Sequence, residues 1–156
     1  MQKDTIVILE NVRSAQNVGS IFRTADGAGA RKIILLGYTP GPIDRFGRVQ
    51  PRIAKTSLGA TESVAWEKIE NDAEGQRTLM QLKEEGYALI AVEQTPAAVS
   101  LPEFEPPERA AYIFGNEIDG VSASLLALAD MAIEIPMRGK KESLNVAVCA
   151  GIILYT

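Results

Sequence analysis

A chain of 156 residues, 46% apolar and 23% charged, is long enough for one domain with a real core. It contains no run of about eighteen apolar residues, which excludes a membrane-spanning helix, and MQKDTIVILE lacks the charged-then-apolar pattern of a secretory signal. One cysteine, Cys149, excludes an internal disulfide and favours a cytoplasmic setting; the absence of histidine removes the commonest metal ligand and general base.

The net charge of −4 hides a segregation. Residues 1–60 carry nine Lys/Arg against four Asp/Glu, whereas residues 61–130 carry four against fourteen. Acidity is confined to the middle, and the first third is left able to offer a basic face to a polyanion.

TIVIL, 5–9, is a β-branched run that predicts a buried strand. Residues 17–29 then read as an amphipathic helix closing near Gly27 or Gly29. Val18, Ile21, Phe22, Ala25 and Ala28 form its apolar face. Gln16, Asn17, Ser20, Arg23 and Thr24 share the other, which carries a lone arginine. KIILL, 32–36, predicts a second buried strand. GYTPGPIDRFGRVQP, from Gly37, predicts a long loop, basic at Arg45 and Arg48 and, just beyond, at Arg52 and Lys55. Loops of that length in a compact domain are usually functional or disordered.

A short strand is expected at 63–66 and a surface helix at 71–86, with Leu79 and Leu82, and Met80 beside them, as its core contacts and Gly86 as its stop. YALIAVEQ, 87–94, predicts a buried strand, and a proline-rich connection leads to a strand at 111–115. A helix at 122–130 with serine at its start precedes a strand at 131–137 and the turn RGKKES. The final helix, 144–155, is apolar nearly all round. It is expected to be deeply buried, as a central core helix or as a self-association surface. Cys149 within it reads as a small buried hydrophobe rather than a nucleophile.

Strands alternating with helices predict an α/β fold, a mostly parallel sheet with helices on both faces, in a single domain spanning 1–156. Ligands of such sheets bind beyond the carboxyl ends of the strands. Three stretches qualify. FGNEIDGVS, 114–122, sets Asn116, Glu117 and Asp119 between two glycines but is neither a Walker loop nor a GxGxxG fingerprint. Taken alone, it is equally a tight turn with solvated acids. IPMRGKKESLNV, 135–146, leads through a basic turn to Ser143, Leu144 and Asn145 at the start of a helix. Taken alone, Ser143 is a helix cap and Arg138, Lys140 and Lys141 are solvated. The third is the opening helix, whose polar stripe needs no function by itself.

The order of the three is more informative. Asn-x-Gly-x-x-x-Arg at Asn17–Arg23, Phe-Gly-Asn-Glu-x-x-Gly at Phe114–Gly120, and Ile-Pro-Met followed by Ser-Leu-Asn-Val up to Val146 resemble the three motifs of the SpoU/TrmH family of RNA ribose 2′-O-methyltransferases, in the SPOUT class. The resemblance runs from Asn11 to Tyr155.

That resemblance implies an α/β fold with a C-terminal trefoil knot, S-adenosylmethionine bound in the knot, and an active site formed across a homodimer. No metal is implied. By position, the cofactor would meet Thr95, Gly115, Asn116, Gly120, Ile135, Met137 and Leu144, largely through backbone. Arg23 matches the arginine proposed as the family's base. Stabilising a developing alkoxide, or contacting a phosphate, suits a guanidinium without deprotonation. Asn17 would hold that arginine or the ribose, Glu117 would orient Arg23 or take the proton, and Ser143 and Asn145 would position the site. Arg13, Arg45, Arg48, Arg52, Lys55, Arg138, Lys140 and Lys141 would meet RNA phosphates. The lack of an extension before the first strand favours transfer RNA over ribosomal RNA as partner. Three other readings stand beside this one: an inactive RNA-binding relative, a flavodoxin- or Rossmann-like nucleotide-binding module, and a structural dimer built on the final helix.

Overall fold

The structure, a computed structural model, describes residues 3–156. Its elements in chain order are β1 (Asp4–Glu10), α1 (Ala15–Gly27), β2 (Lys32–Leu36), α2 (Pro51–Ser57), α3 (Ala60–Ser63), β3 (Ala65–Ile69) and α4 (Asp72–Glu84). There follow β4 (Ala88–Val92), β5 (Val99–Ser100), β6 (Arg109–Phe114), α5 (Ala123–Leu128), β7 (Met131–Glu134) and α6 (Val146–Leu154). The strands form one sheet in the order β3-β2-β1-β6-β4-β7-β5, and every pairing is parallel.

Successive side chains of a strand point to opposite faces, so β1 sends Val7 and Leu9 one way and Ile6 and Ile8 the other. Val7 and Leu9 join the layer made with α1, α2 and α6, where Ile21, Phe22, Ile53, Ala150 and Ile153 are buried. Ile6 and Ile8 join Leu79 and Leu82 of α4 and Leu125 of α5. With helices over both faces, no polar alternation is needed, which is why the central strands read as unbroken apolar runs. Full burial of a side chain such as Phe22 contributes roughly 1.5–3 kcal/mol.

Helix α1 starts where the Ser14 hydroxyl accepts from the Asn17 amide at 3.2 Å and stops two residues before Gly29, which takes φ +74°. Its Gly19 is a packing residue. A Cβ there would lie 1.9 Å from Thr56 Oγ1 and 2.7 Å from the Ile53 carbonyl oxygen, so the glycine lets α2 cross close over α1.

Several boundaries differ from expectation. Helices α2 and α3 occupy a stretch in which no helix was expected. Only Ile53 and Ser57 of α2 are buried, and so short a face leaves no periodic stripe. The strand expected at 63–66 lies at Ala65–Ile69, an edge strand with a half-exposed pattern. The two-residue β5 was not foreseen. Strand β7 ends at Glu134, and α6 begins at Val146 with Asn145, not Ser143, as its cap.

The largest correction concerns α6. It buries Ala150 and Ile153 against the core, but Val148 is 51% exposed and Tyr155 66%. The helix is therefore not deeply buried within this chain. Cys149 is half-buried, and burial pushes its thiol pKa up, as expected of an unreactive thiol.

Candidate cofactor and active site

A cavity of about 720 Å³ opens at the carboxyl ends of β4, β6 and β7. Its size suits a small-molecule site. Thr95, Gly115, Asn116, Gly120, Ile135, Met137 and Leu144, the residues expected at the cofactor, all line it, as do Glu117, Ser143 and Asn145. Arg23 and Asn17 do not.

Two glycines shape the wall. A Cβ on Gly115 would lie 2.2 Å from the Gly120 carbonyl carbon and 2.3 Å from the Val121 nitrogen. Gly120 has φ +70°, and a Cβ there would lie 2.0 Å from Glu93 Oε2. The turn between them is tied by reciprocal backbone bonds of Asn116 and Gly120, 3.1 and 2.9 Å. Asn116 is expected at the cofactor, yet its side chain is committed to architecture. Its Oδ1 accepts from the amides of Ile118 and Asp119 at 2.8 and 2.9 Å. Its Nδ2 donates to the Asn11 carbonyl and to Tyr38 Oη at 2.8 and 2.9 Å.

The same turn docks onto α1. Glu117 Oε1 and Oε2 accept from the amides of Arg13 and Ser14, each at 3.0 Å. Among the described residues no hydrogen bond or ion pair joins Glu117 to Arg23; its two oxygens hold the start of α1 instead. Partial burial raises its pKa, but the Arg13 and Ser14 amides, its own backbone and Asn17 together hold the carboxyl below its ordinary range. A carboxylate held that low is a poor base and a good clamp at a helix N-terminus. The sign of its contribution to stability follows. A depressed folded pKa stabilises the protein above the ordinary carboxylate range, and that gain is lost as pH falls through the folded value. Glu117→Gln should therefore melt below the unaltered chain at neutral pH, with the gap narrowing as pH falls below the ordinary carboxylate range; a series of thermal melts at falling pH checks this.

From the cavity's other wall, Asn145 Nδ2 donates to Asn17 Oδ1 at 3.2 Å. Its Oδ1 meanwhile caps α6 through the Ala147 amide at 2.8 Å. Asn17 thus stands at the junction of α1 and the cavity. Arg23 lies six residues further along α1, about 9 Å down the axis. It is exposed, with no hydrogen-bond or ion-pair partner among the described residues. All eight basic residues expected to meet RNA are exposed, Arg48 being paired with Asp44 at 2.8 Å.

Side chains to which the sequence assigned no role also build the site, although Glu93 and Gln94 fall in the segment after β4 where the resemblance places the cofactor. Glu93 Oε2 accepts from the Val121 amide at 2.8 Å, pinning the far end of the glycine turn. Glu10, buried at the end of β1, accepts from the Ser122 amide and hydroxyl at 2.8 and 2.6 Å. An acid closing an apolar strand was the available signal for both. Gln94 Nε2 donates to the Glu142 carbonyl at 2.7 Å, joining two loops over the cavity.

Five carboxylate residues line the cavity, Glu93, Glu117, Asp119, Glu134 and Glu142, and none of its lining residues is Lys or Arg. Such a wall disfavours a phosphate-bearing dinucleotide and suits a ligand carrying positive charge, such as a sulfonium with an ammonium group. Among the described residues no group of three or more His, Cys, Asp or Glu is arranged to hold a metal ion, and no helix is long and apolar enough to cross a membrane.

Comparison with known proteins agrees with this geometry. A tRNA (guanosine(18)-2′-O)-methyltransferase of Aquifex aeolicus is 34% identical over 155 residues, covering 99% of this chain and 68% of that one. The 23S rRNA (guanosine-2′-O-)-methyltransferase RlmB of Neisseria meningitidis is 34% identical over 149 residues, 96% of this chain but 56% of its own length. An AdoMet-bound rRNA methyltransferase from Sinorhizobium meliloti superposes with a TM-score of 0.86 at 28% identity, over 99% of this chain and 56% of that structure. The family model described as "SpoU rRNA Methylase family" matches residues 4–155, and the chain belongs to that family.

Proposed function

We propose that this chain transfers the methyl group of S-adenosylmethionine to a ribose 2′-hydroxyl of RNA, with transfer RNA preferred. The observation that carries the reading is the carboxylate-lined cavity docked on the N-terminal end of α1. The relative named for tRNA is also matched over a larger share of its length than the one named for rRNA. Such an enzyme would work in the cytoplasm, where its RNA is.

When bound, S-adenosylmethionine supplies an electrophilic methyl group on a sulfonium. The chain's own work is placement and charge. Gly115 and Gly120 bring backbone close to the ligand, and Glu93 fixes their spacing. Asn145 and Asn17 align the cavity with the polar face of α1. Ser143 sits exposed on the rim, where a ribose would arrive. Arg23 meets the negative charge that grows on the 2′-oxygen, or an adjacent phosphate, as the S–CH3 bond breaks to leave S-adenosylhomocysteine and the hydroxyl proton passes to solvent water. Orientation of two reactants supplies roughly 7–11 kcal/mol in such a reaction.

The active form is a homodimer in this reading. Val148 and Ile152 of α6, with Tyr155 at its end, leave an exposed apolar patch on a helix that abuts α1. Arg23 is not among the residues lining its own cavity, and in this reading it serves the partner's. We also read the C-terminal region as a trefoil knot. This is supported by β6 lying between β1 and β4, and by the Gln94–Glu142 bond between segments 93–98 and 137–145.

Calorimetry with S-adenosylmethionine, followed by transfer of its labelled methyl group to bulk tRNA, tests the proposal. Micromolar cofactor binding and ribose-linked label are expected; binding of FMN or NAD instead would reverse it.

A further inference from the structure

The connection between β2 and α2 holds two exposed aromatic rings that no step above uses. Tyr38 is 57% exposed, and Phe46 is 69% exposed. Tyr38 is fixed beside the cavity turn, for its hydroxyl accepts from Asn116 Nδ2 at 2.9 Å and its amide donates to Asn11 Oδ1 at 3.1 Å. Phe46 projects from a tight, built turn. Ile43 and Val49 form an antiparallel bridge. Within it, Asp44 Oδ1 accepts from the amides of Phe46 and Arg48 at 2.8 and 3.0 Å. The guanidinium carbons of Arg45 and Arg48 lie 5.2 and 5.0 Å from the centre of the Phe46 ring.

Ile43 and Val49 on the same turn are also exposed, at 49% and 64%, so Phe46 belongs to an uncovered apolar cluster that asks for a partner with an apolar face. The partner must also accept the guanidinium of Arg45 and that of Arg48, whose Nε is held by Asp44 at 2.8 Å. Unpaired nucleotides fit both demands, offering a base to stack and phosphates on either side. A duplex fits less well, because its bases are already stacked.

We propose that Phe46, flanked by Arg45 and Arg48, is a stacking platform for an unpaired base of the substrate RNA, placed on the connection that Tyr38 ties to the cavity. The enzyme thereby selects a single-stranded nucleotide, and the platform sets where along the strand the reacting ribose falls. This inference rests on the reading of the chain as an RNA methyltransferase.

The test uses the full chain, a single-stranded RNA of about 16 nucleotides carrying 2-aminopurine, and the same strand annealed to its complement. The unaltered chain should prefer the single strand and quench the 2-aminopurine. Phe46→Ala should weaken single-strand binding by about tenfold and lose the quenching. Its duplex affinity and its S-adenosylmethionine affinity should be unchanged. Phe46→Trp should restore both binding and quenching. The salt slope separates stacking from charge: Arg45→Ala should lower it by about one, and Phe46→Ala should leave it alone.

Unchanged single-strand binding in Phe46→Ala, equal loss on both RNAs, loss of cofactor affinity, or an altered salt slope would each overturn the platform while leaving the methyltransferase reading in place. If the unaltered chain binds neither RNA, the RNA reading and the platform fall together.

Discussion

Arg23→Ala should lower methyl transfer by a factor of about 100–1000 while S-adenosylmethionine binds as tightly as before. The two halves of this result have separate causes. Arg23 is absent from the cavity lining, so the cofactor has nothing to lose. The transition state has much to lose, because the 2′-oxygen gains negative charge as its proton leaves, and preorganised positive charge near it is worth roughly 3–4 kcal/mol. Glu117 cannot make up the loss, because a carboxylate brings no positive charge to the 2′-oxygen. Arg23→Lys separates two versions of the role. A point charge recovers most of a purely electrostatic contribution but not a two-pronged contact with phosphate. Mixing Arg23→Ala with a variant defective in the cavity tests the shared site: hybrid dimers should regain turnover if the arginine serves the partner. Retained turnover in Arg23→Ala alone would remove the residue from the mechanism.

Gly115→Ala should abolish measurable cofactor binding, a loss of at least about 100-fold, equivalent to about 2.8 kcal/mol. The added methyl group meets backbone rather than a yielding side chain, at 2.2 Å from the Gly120 carbonyl carbon. Relief requires the turn to swing away, which breaks the Asn116–Gly120 bonds and pulls Val121 from Glu93. Overpacking of this kind costs about 1–3 kcal/mol of stability, so a lowered melting temperature should accompany the lost binding. Gly139 is the matched control. It lies in the loop after β7, a Cβ added there would meet nothing within 4 Å, and Gly139→Ala should change neither quantity. Calorimetry and thermal melts read both variants. Normal cofactor affinity in Gly115→Ala would show that the turn is not the binding wall.

The sheet was legible because its central strands are covered on both faces. After Thr5 and Lys32 at their starts, TIVIL and KIILL are unbroken apolar runs, and both strands contain their predicted runs. Helix α1 was legible from its stripe, and Gly29 marked its end. Helix α2 was not, since seven residues with two buried positions give no repeat to detect. The fate of α6 was left open between core and self-association surface for a physical reason. An apolar helix must be covered, but its sequence does not say by which chain. The cavity was hidden in a different way. Gly115, Ile135 and Leu144 carry no polar side chain to announce a site, so only the order of three weak motifs pointed to them. The clamping roles of Glu10 and Glu93 escaped because they accept from backbone amides 112 and 28 residues away in sequence.

The position of β6 also governs how the chain reaches this shape. Asp4 pairs with Arg109 and Leu9 with Phe114, so one side of β1 waits for a strand made two-thirds of the way along the chain. Until β6 arrives, β1 presents an open edge of unpaired amides flanked by apolar side chains. Such an edge invites pairing between copies. Closing the central seam demands long-range contacts whose loop entropy comes due before any reward, which makes folding slow. The half-built sheet emerging during synthesis is therefore the state in which this protein is most exposed to aggregation, and the one that chaperones would meet.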